Sequence, residues 1–208
     1  NLALVVGSIY WIICFSARFA NFFVLETFLN DPLTTIQQNH VLVRAGILAF
    51  MITVVFDVIV AWALYELFKG NPLSVLSTLF RMMHAVMMGV AIFALPAILT
   101  LNNGEDILKQ IDIFNTIWLL GLFFFGIHII LLGKIIAKPK IIAFFLFIAG
   151  IMYMVDTVAH FALQNYEVYA PIFLALVAIP SIFGEMSLAI WLLIKGGKKN
   201  NANASISG

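Results

Sequence analysis

The sequence is poor in charged residues, and this scarcity excludes an ordinary soluble domain. Only 10% of its 208 residues are Asp, Glu, Lys or Arg, whereas 63% are hydrophobic. Soluble globular domains carry about 25% charged residues. The formal net charge is only +1, so nucleic acid is not expected as a partner. We therefore expect an integral membrane protein whose main partner is the lipid bilayer.

Cysteine and the common metal-binding motifs are also scarce. The single cysteine, Cys14, lies within an apolar run, so the chain offers neither a disulfide nor a cysteine-rich metal site. No HExxH motif occurs, and no two histidines are four residues apart. No segment alternates polar and apolar residues, which argues against a membrane β-barrel.

Long apolar runs, in contrast, are abundant. Six of them reach the length of about 20 residues that crosses a bilayer as a helix. Their boundaries carry Pro, Gly, Asn and charged residues, which are typical of helix ends. The sequence predicts an all-α bundle of six transmembrane helices at residues 2–28, 41–68, 73–101, 113–137, 140–163 and 168–194. The transmembrane domain thus covers residues 1–199, and a polar C-terminal tail at 200–208 is expected to be disordered.

The lysines indicate the orientation of this bundle. They concentrate at the turn between the second and third spans, at the turn between the fourth and fifth, and after the sixth: Lys69, Lys134, Lys138, Lys140, Lys195, Lys198 and Lys199. The opposite end carries mainly Asp and Glu. By the positive-inside rule, both termini are expected to be cytoplasmic.

Ionisable side chains within the predicted spans are the main functional signal, because such groups are costly in lipid and face the bundle interior. Counting from the cytoplasmic ends at 1.5 Å per residue places five of them in one layer, about 12–17 Å deep. These five are Asp57, Arg81, His84, His128 and Glu185. The simplest interpretation is a buried ion-pair network that fixes the helix arrangement. The alternative is a functional polar site.

Metal binding is one hypothesis for that site. His84, His128 and Glu185 have the donor atoms of a divalent-metal centre, which would activate water or bind an oxygen ligand. Haem, with His84 and His128 as axial ligands, and Cu(I), held by His84 and its neighbouring methionines, rank below it. The methionines around His84 point in several directions, which weakens the copper hypothesis.

Asp156 and His160 form a second candidate site. They are spaced i, i+4 in the outer half of the fifth span, so they can share one metal, or the carboxylate can orient the imidazole for proton transfer. The competing interpretation is an Asp–His hydrogen bond near the interface, reached by Arg18. Carboxylates and histidines at two depths can also form a relay across the membrane.

A series of short motifs runs through nearly the whole chain. It consists of Gly7, Tyr10, Arg44, Asp57, Leu64-Tyr65, Phe80-Arg81, Phe125-Gly126-Ile127-His128, Leu131-Leu132-Gly133, Ala149-Gly150, Tyr153, Asp156 through His160, Glu185, Ala189-Ile190-Trp191-Leu192-Leu193 and Lys195-Gly196. This pattern resembles a bacterial family of small multi-span membrane proteins known only as a domain of unknown function. The resemblance implies a six-span bundle in a prokaryotic inner membrane and brings no activity with it.

No sequence feature identifies a reaction, so the question whether the protein is an enzyme stays open. The leading hypothesis is a small inner-membrane protein with a polar site inside the membrane, of unknown biochemical activity. The first alternative is a non-catalytic subunit of a larger complex, with other membrane subunits as partners. The second is a transporter or proton relay.

Overall fold

The computed structural model describes residues 2–18, 32–38, 40–136 and 138–204. Within these ranges the chain is helical apart from short turns, and they contain no strand. The elements are α1 (Leu2–Arg18), α2 (Pro32–Gln38), α3 (His40–Phe68), α4 (Ser74–Ile92), a 3-10 helix (Pro96–Thr100), α5 (Gly104–Ile136), α6 (Lys140–Ala162) and α7 (Tyr166–Ala204). The prediction of an all-helical protein is confirmed.

Five long apolar segments among the described residues have the length and composition of membrane spans. They are α3, α4 with the following 3-10 helix, α5, α6, and α7 as far as Gly196. The first predicted span begins with a shorter apolar helical segment, Leu2–Ile13. The rest of that span falls partly on residues 19–31, outside the described residues. The structure therefore supports a multi-span membrane protein.

Six helices form a closed ring. Helix α1 packs against α3 and α7, and each helix from α3 to α6 packs against the next one in the chain. Short connections make successive helices antiparallel. The ring closes where α1 runs antiparallel to α7, because Gly7 lies against Leu193 and Gly196 lies against Leu4. This order gives every one of the six helices a side that faces the ring centre.

Two segment ends differ from the sequence expectation. The third predicted span, 73–101, is not one continuous α-helix, because α4 ends at Ile92 and a turn leads into the 3-10 helix. Pro96 starts that helix, and proline has no N–H group to continue an α-helical ladder. At the other end of the chain, α7 continues to Ala204, so residues 200–204 of the predicted polar tail are helical.

Two hydrophobic clusters lie along the ring. One is built around Val60, Ile129 and Leu188, in the half that carries the lysine-rich turns. The other is built around Phe50 and Phe114, whose ring centroids are 4.9 Å apart, and it also contains the 3-10 helix residue Ile98. On α3, Asp57 lies between Phe50 of the second cluster and Val60 of the first.

The closest backbone approach in the ring occurs between α5 and α6. A Cβ atom added to Gly126 would lie 2.6 Å from the carbonyl oxygen of Gly150, and one added to Gly150 would lie 2.5 Å from that of Gly126. Small residues let membrane helices pack this closely. Tyr153, one turn beyond Gly150, is thereby held at the ring interior next to α5.

Candidate functional site

A cavity of about 240 Å³ lies inside the ring. All six ring helices contribute to its wall, which combines charged groups, hydroxyls, aromatic rings and aliphatic side chains. The lining residues are Tyr10, Ile13, Thr53, Asp57, Arg81, His84, Met88, Trp118, Leu122, Phe125, Tyr153, Ser181, Ile182, Glu185 and Met186. Four of the five residues that the sequence places in one layer therefore line a single cavity.

The cavity extends from the Arg81 layer away from the lysine-rich end. On α4 its wall runs from Arg81 to Met88, and on the antiparallel α5 it runs from Phe125 back to Trp118. Both directions lead toward the end of the bundle where α4 connects to α5. Seven residues at 1.5 Å each give a depth of about 10 Å. The charged residues thus form the floor of the cavity.

Arg81 is the centre of this floor and is only 1% exposed. Its Nη2 atom donates a short hydrogen bond to Oδ1 of Asp57 on α3. Its Nη1 atom donates to the Tyr10 hydroxyl at 2.8 Å and lies 3.2 Å from Nε2 of His128. The guanidinium carbon also lies 5.2 Å and 5.3 Å from the ring centroids of Tyr10 and Phe125, in cation–π geometry. Three other helices of the ring, α1, α3 and α5, therefore hold this one cation.

His128 contacts Arg81 on the side that faces the lysine-rich end of the bundle, away from the central cavity. An arginine side chain has no acceptor, so Nε2 of His128 must accept from Arg81. The ring proton is then on Nδ1, which donates to the Ser77 backbone carbonyl at 2.9 Å. The Ser77 hydroxyl also lies 2.9 Å from Nδ1. Both ring nitrogens of His128 are thus engaged within the protein.

The predicted metal set is not assembled in this structure. His84 and Glu185 line the central cavity, whereas His128 lines a separate space of about 10 Å³ beside Ser77. Within the part of the chain that the structure describes, no group of three or more His, Cys, Asp or Glu side chains has a metal-binding arrangement. The Arg81 cation beside His128 also opposes a metal ion there. We therefore assign no step to a metal.

The haem and copper hypotheses gain no support from the geometry either. The Phe125 ring packs against both imidazoles, with its centroid 4.7 Å from that of His84 and 5.8 Å from that of His128. Only Met88 of the neighbouring methionines lines the cavity together with His84, and Met83 is 45% exposed on the outer surface.

Glu185 on α7 differs from Asp57 in that it forms no ion pair with a described side chain. The Tyr153 hydroxyl donates to its Oε1 atom at 3.0 Å. Among the described residues the ion pairs are Lys69–Glu66, Arg81–Asp57 and Lys109–Asp106, and none includes Glu185. The side chain is half-buried and borders the cavity. It therefore presents a carboxyl group to whatever occupies that space.

The second predicted site is assembled differently from the expectation. Asp156 accepts a hydrogen bond of 2.7 Å from the hydroxyl of Tyr166, which lies at the start of α7. The His160 ring packs edge-on against the same tyrosine, with the centroids 4.7 Å apart. The Arg18 side chain, predicted to reach this site, lies outside the described side chains. Tyr166 is the residue that sequence reasoning missed, because nothing in its spacing connects it to α6.

Three further side chains complete the inner layer. The Tyr10 hydroxyl accepts from Arg81, the Ser77 hydroxyl lies within hydrogen-bond distance of Nδ1 of His128, and the Tyr153 hydroxyl donates to Glu185. Ser77 is four residues before Arg81 and shares its helix face, which is a signal that the sequence does carry. Tyr10 has no such signal, because its role depends on which helices are neighbours in the ring.

These features define a multi-span helical membrane protein with a polar cavity among its helices. The chain belongs to the family described as Domain of unknown function (DUF4386), which matches residues 5–196. This confirms the resemblance seen in the sequence. An uncharacterized protein of the archaeon Archaeoglobus fulgidus is 31% identical over 159 residues, covering 74% of this chain and 85% of the relative. No solved structure matches the chain.

Proposed function

We propose that the protein crosses a prokaryotic inner membrane six times, with both termini in the cytoplasm, and binds a small ligand in its central cavity. In this arrangement α1 belongs to a further span beside the five long ones, and the lysine-rich turns lie on the cytoplasmic side. The cavity then opens toward the outer side. The observation that carries the proposal is a cavity of about 240 Å³ to which all six ring helices contribute.

Ligand binding accounts for this cavity better than a purely structural ion-pair network does. A network that only holds helices together is expected to pair its polar atoms and leave no space. Here Oδ2 of Asp57 and Nε of Arg81 are buried without a hydrogen-bond partner among the described residues. Ligand sites are typically concave and mostly apolar, with a few polar groups that orient the ligand. The cavity wall has this composition.

The same geometry favours binding over a proton relay. A path to the cytoplasmic side would have to pass Arg81 and His128. The guanidinium keeps its proton in proteins, and it also occupies the Nε2 atom at which His128 would accept one. A fixed positive charge in a pathway also repels protons and cations. The Arg81–His128 pair therefore acts as a closed floor.

Cysteine labelling tests whether the cavity is open to water. In a Cys14→Ala background, Met88→Cys places a thiol on the cavity wall, and Val86→Cys places one on the lipid-facing side of the same helix, where Val86 is 56% exposed. We expect a membrane-impermeant methanethiosulfonate reagent to modify Met88→Cys in intact cells. Val86→Cys should stay unmodified, because a thiol in lipid does not ionise. If Met88→Cys stayed as unmodified as Val86→Cys, the result would contradict the proposed function of the cavity.

The proposed orientation gives a second prediction. Glu105→Cys and Lys69→Cys place exposed thiols at opposite ends of the bundle. In intact cells the impermeant reagent should modify Glu105→Cys, whereas Lys69→Cys should react only after the inner membrane is permeabilised. The reverse pattern would invert the orientation inferred from the lysines.

A further inference from the structure

We infer that the ligand is a small organic cation whose ammonium group pairs with the Glu185 carboxylate. This inference rests on the proposed ligand-binding function of the cavity and names the chemical class that the cavity accepts. Three features carry it: the balance of charges, the aromatic wall, and the way in which Arg81 is engaged.

The cavity wall has one more carboxyl group than it has guanidinium or ammonium groups. Asp57 and Glu185 are its acids, and Arg81 is its only permanent cation among the described lining residues. Arg81 forms a direct ion pair with Asp57. Among the described residues, the hydrogen-bond donor to the Glu185 carboxyl group is the neutral hydroxyl of Tyr153, and no ion pair includes this carboxyl group. An ionised Glu185 in a low-dielectric site needs a positive partner, and a cationic ligand supplies it.

The aromatic side chains of the wall suit an ammonium group. Ring faces attract ammonium ions, and clusters of aromatic rings bind quaternary ammonium ligands in this way. Tyr10 and Phe125 already flank Arg81, whereas Trp118 and Tyr153 line the cavity without contributing to that cation. Tyr153 also binds Glu185, so the carboxyl group and an aromatic ring meet at one point of the wall.

An anionic ligand fits the wall less well. Both terminal nitrogens of Arg81 already donate to Asp57 and Tyr10, and the side chain is 1% exposed. The guanidinium N–H group left without a partner among the described residues is on Nε, and an anion there would lie close to the Asp57 carboxylate, which repels it. A bare metal ion is also disfavoured, because no three His, Cys, Asp or Glu side chains among the described residues are arranged to hold one. An organic cation uses both the carboxyl group and the apolar surface.

Choline and its uncharged isostere 3,3-dimethylbutan-1-ol test the inference through protection of the Met88→Cys thiol. At a choline concentration of ten times its Kd, about one tenth of the cavities stay free, so modification of the thiol should slow about tenfold. The alcohol has the same shape without the charge, and we expect it to protect much less. Glu185→Gln keeps an acceptor for the Tyr153 hydroxyl, and it should abolish protection by choline. The exposed Glu105→Gln is the matched control and should keep full protection.

The outcomes separate the two proposals. Equal protection by choline and the alcohol, or protection by choline that survives Glu185→Gln, would overturn the cation inference and leave the cavity proposal in place. An unreactive Met88→Cys thiol would contradict the cavity proposal itself. Circular dichroism and thermal unfolding of the purified Glu185→Gln protein check that this variant is folded, and if it does not fold, the comparison of choline with the alcohol decides alone.

Discussion

Replacing Asp57 by leucine is expected to lower the free energy of unfolding by about 3–5 kcal/mol, the usual cost of leaving one member of a buried ion pair alone. Arg81 would then lie almost fully buried without a counter-ion. Its guanidinium cannot lose its proton to escape this penalty. The Tyr10 hydroxyl, the His128 ring and the face of the Phe125 ring would remain around it, and none of them carries a negative charge. Unfolding of purified protein in detergent, followed by circular dichroism, measures the loss.

Replacing Arg81 instead of Asp57 should lower the free energy of unfolding by less. Arg81→Met leaves the Asp57 carboxyl group alone, and a carboxyl group can become neutral by taking up a proton, which reduces the penalty of burial. The double variant Asp57→Leu/Arg81→Met removes both charges and should recover most of the loss. Glu66→Gln breaks the exposed pair with Lys69 and should change stability little. If the double variant lost the sum of the two single effects, the two side chains would not act as a pair.

Depth within the membrane was predictable from the sequence, because the rise of a helix is fixed and polar breakers mark its ends. The same count placed Arg81 and Glu185 at one level although more than a hundred residues separate them. In the structure both line one cavity. Helix type was equally predictable, because long apolar runs in lipid must satisfy their own backbone hydrogen bonds.

The neighbours around the ring were not predictable in this way. Depth is a single coordinate, and it carries no information on which helices pack together. His128 lies in the same predicted layer as His84, yet it contacts Ser77 and Arg81 and lines a different space from the one that His84 lines. The metal hypothesis depended on donor types and depth alone, and those two properties do not make side chains converge.

Hydroxyl partners were the other part that sequence reasoning could not assign. Tyrosine is common in membrane helices, and neither Tyr10 nor Tyr166 stands at a helical spacing from the group that it binds. Each forms a hydrogen bond with a side chain on another helix: the Tyr10 hydroxyl accepts from Arg81, and the Tyr166 hydroxyl donates to Asp156. Such pairs depend on the ring order, and they determine which polar atoms are left for a ligand.

The contact between Gly126 and Gly150 gives the second large expected effect. Gly126→Leu should lower the free energy of unfolding by about 3 kcal/mol, the upper part of the range for overpacking. Even a Cβ atom at this position would lie 2.6 Å from the Gly150 carbonyl oxygen, and both atoms belong to rigid helix backbones. The helices α5 and α6 must therefore separate. Thermal unfolding in detergent measures the change.

Gly89→Leu is the matched control, since Gly89 lies on an exposed face of α4 with nothing within 4 Å of an added Cβ atom. Leucine there contacts lipid and has a better helix propensity than glycine, so the variant should be at least as stable as the parent.

The separation of α5 and α6 in Gly126→Leu should also change the cavity, because the Cβ atom added at Gly126 would lie 3.2 Å from the Cβ of Tyr153. Tyr153 would then leave Glu185, and choline protection should fall in Gly126→Leu and persist in Gly89→Leu. Loss of stability with unchanged protection would show that the glycine contact supports the bundle without positioning the site.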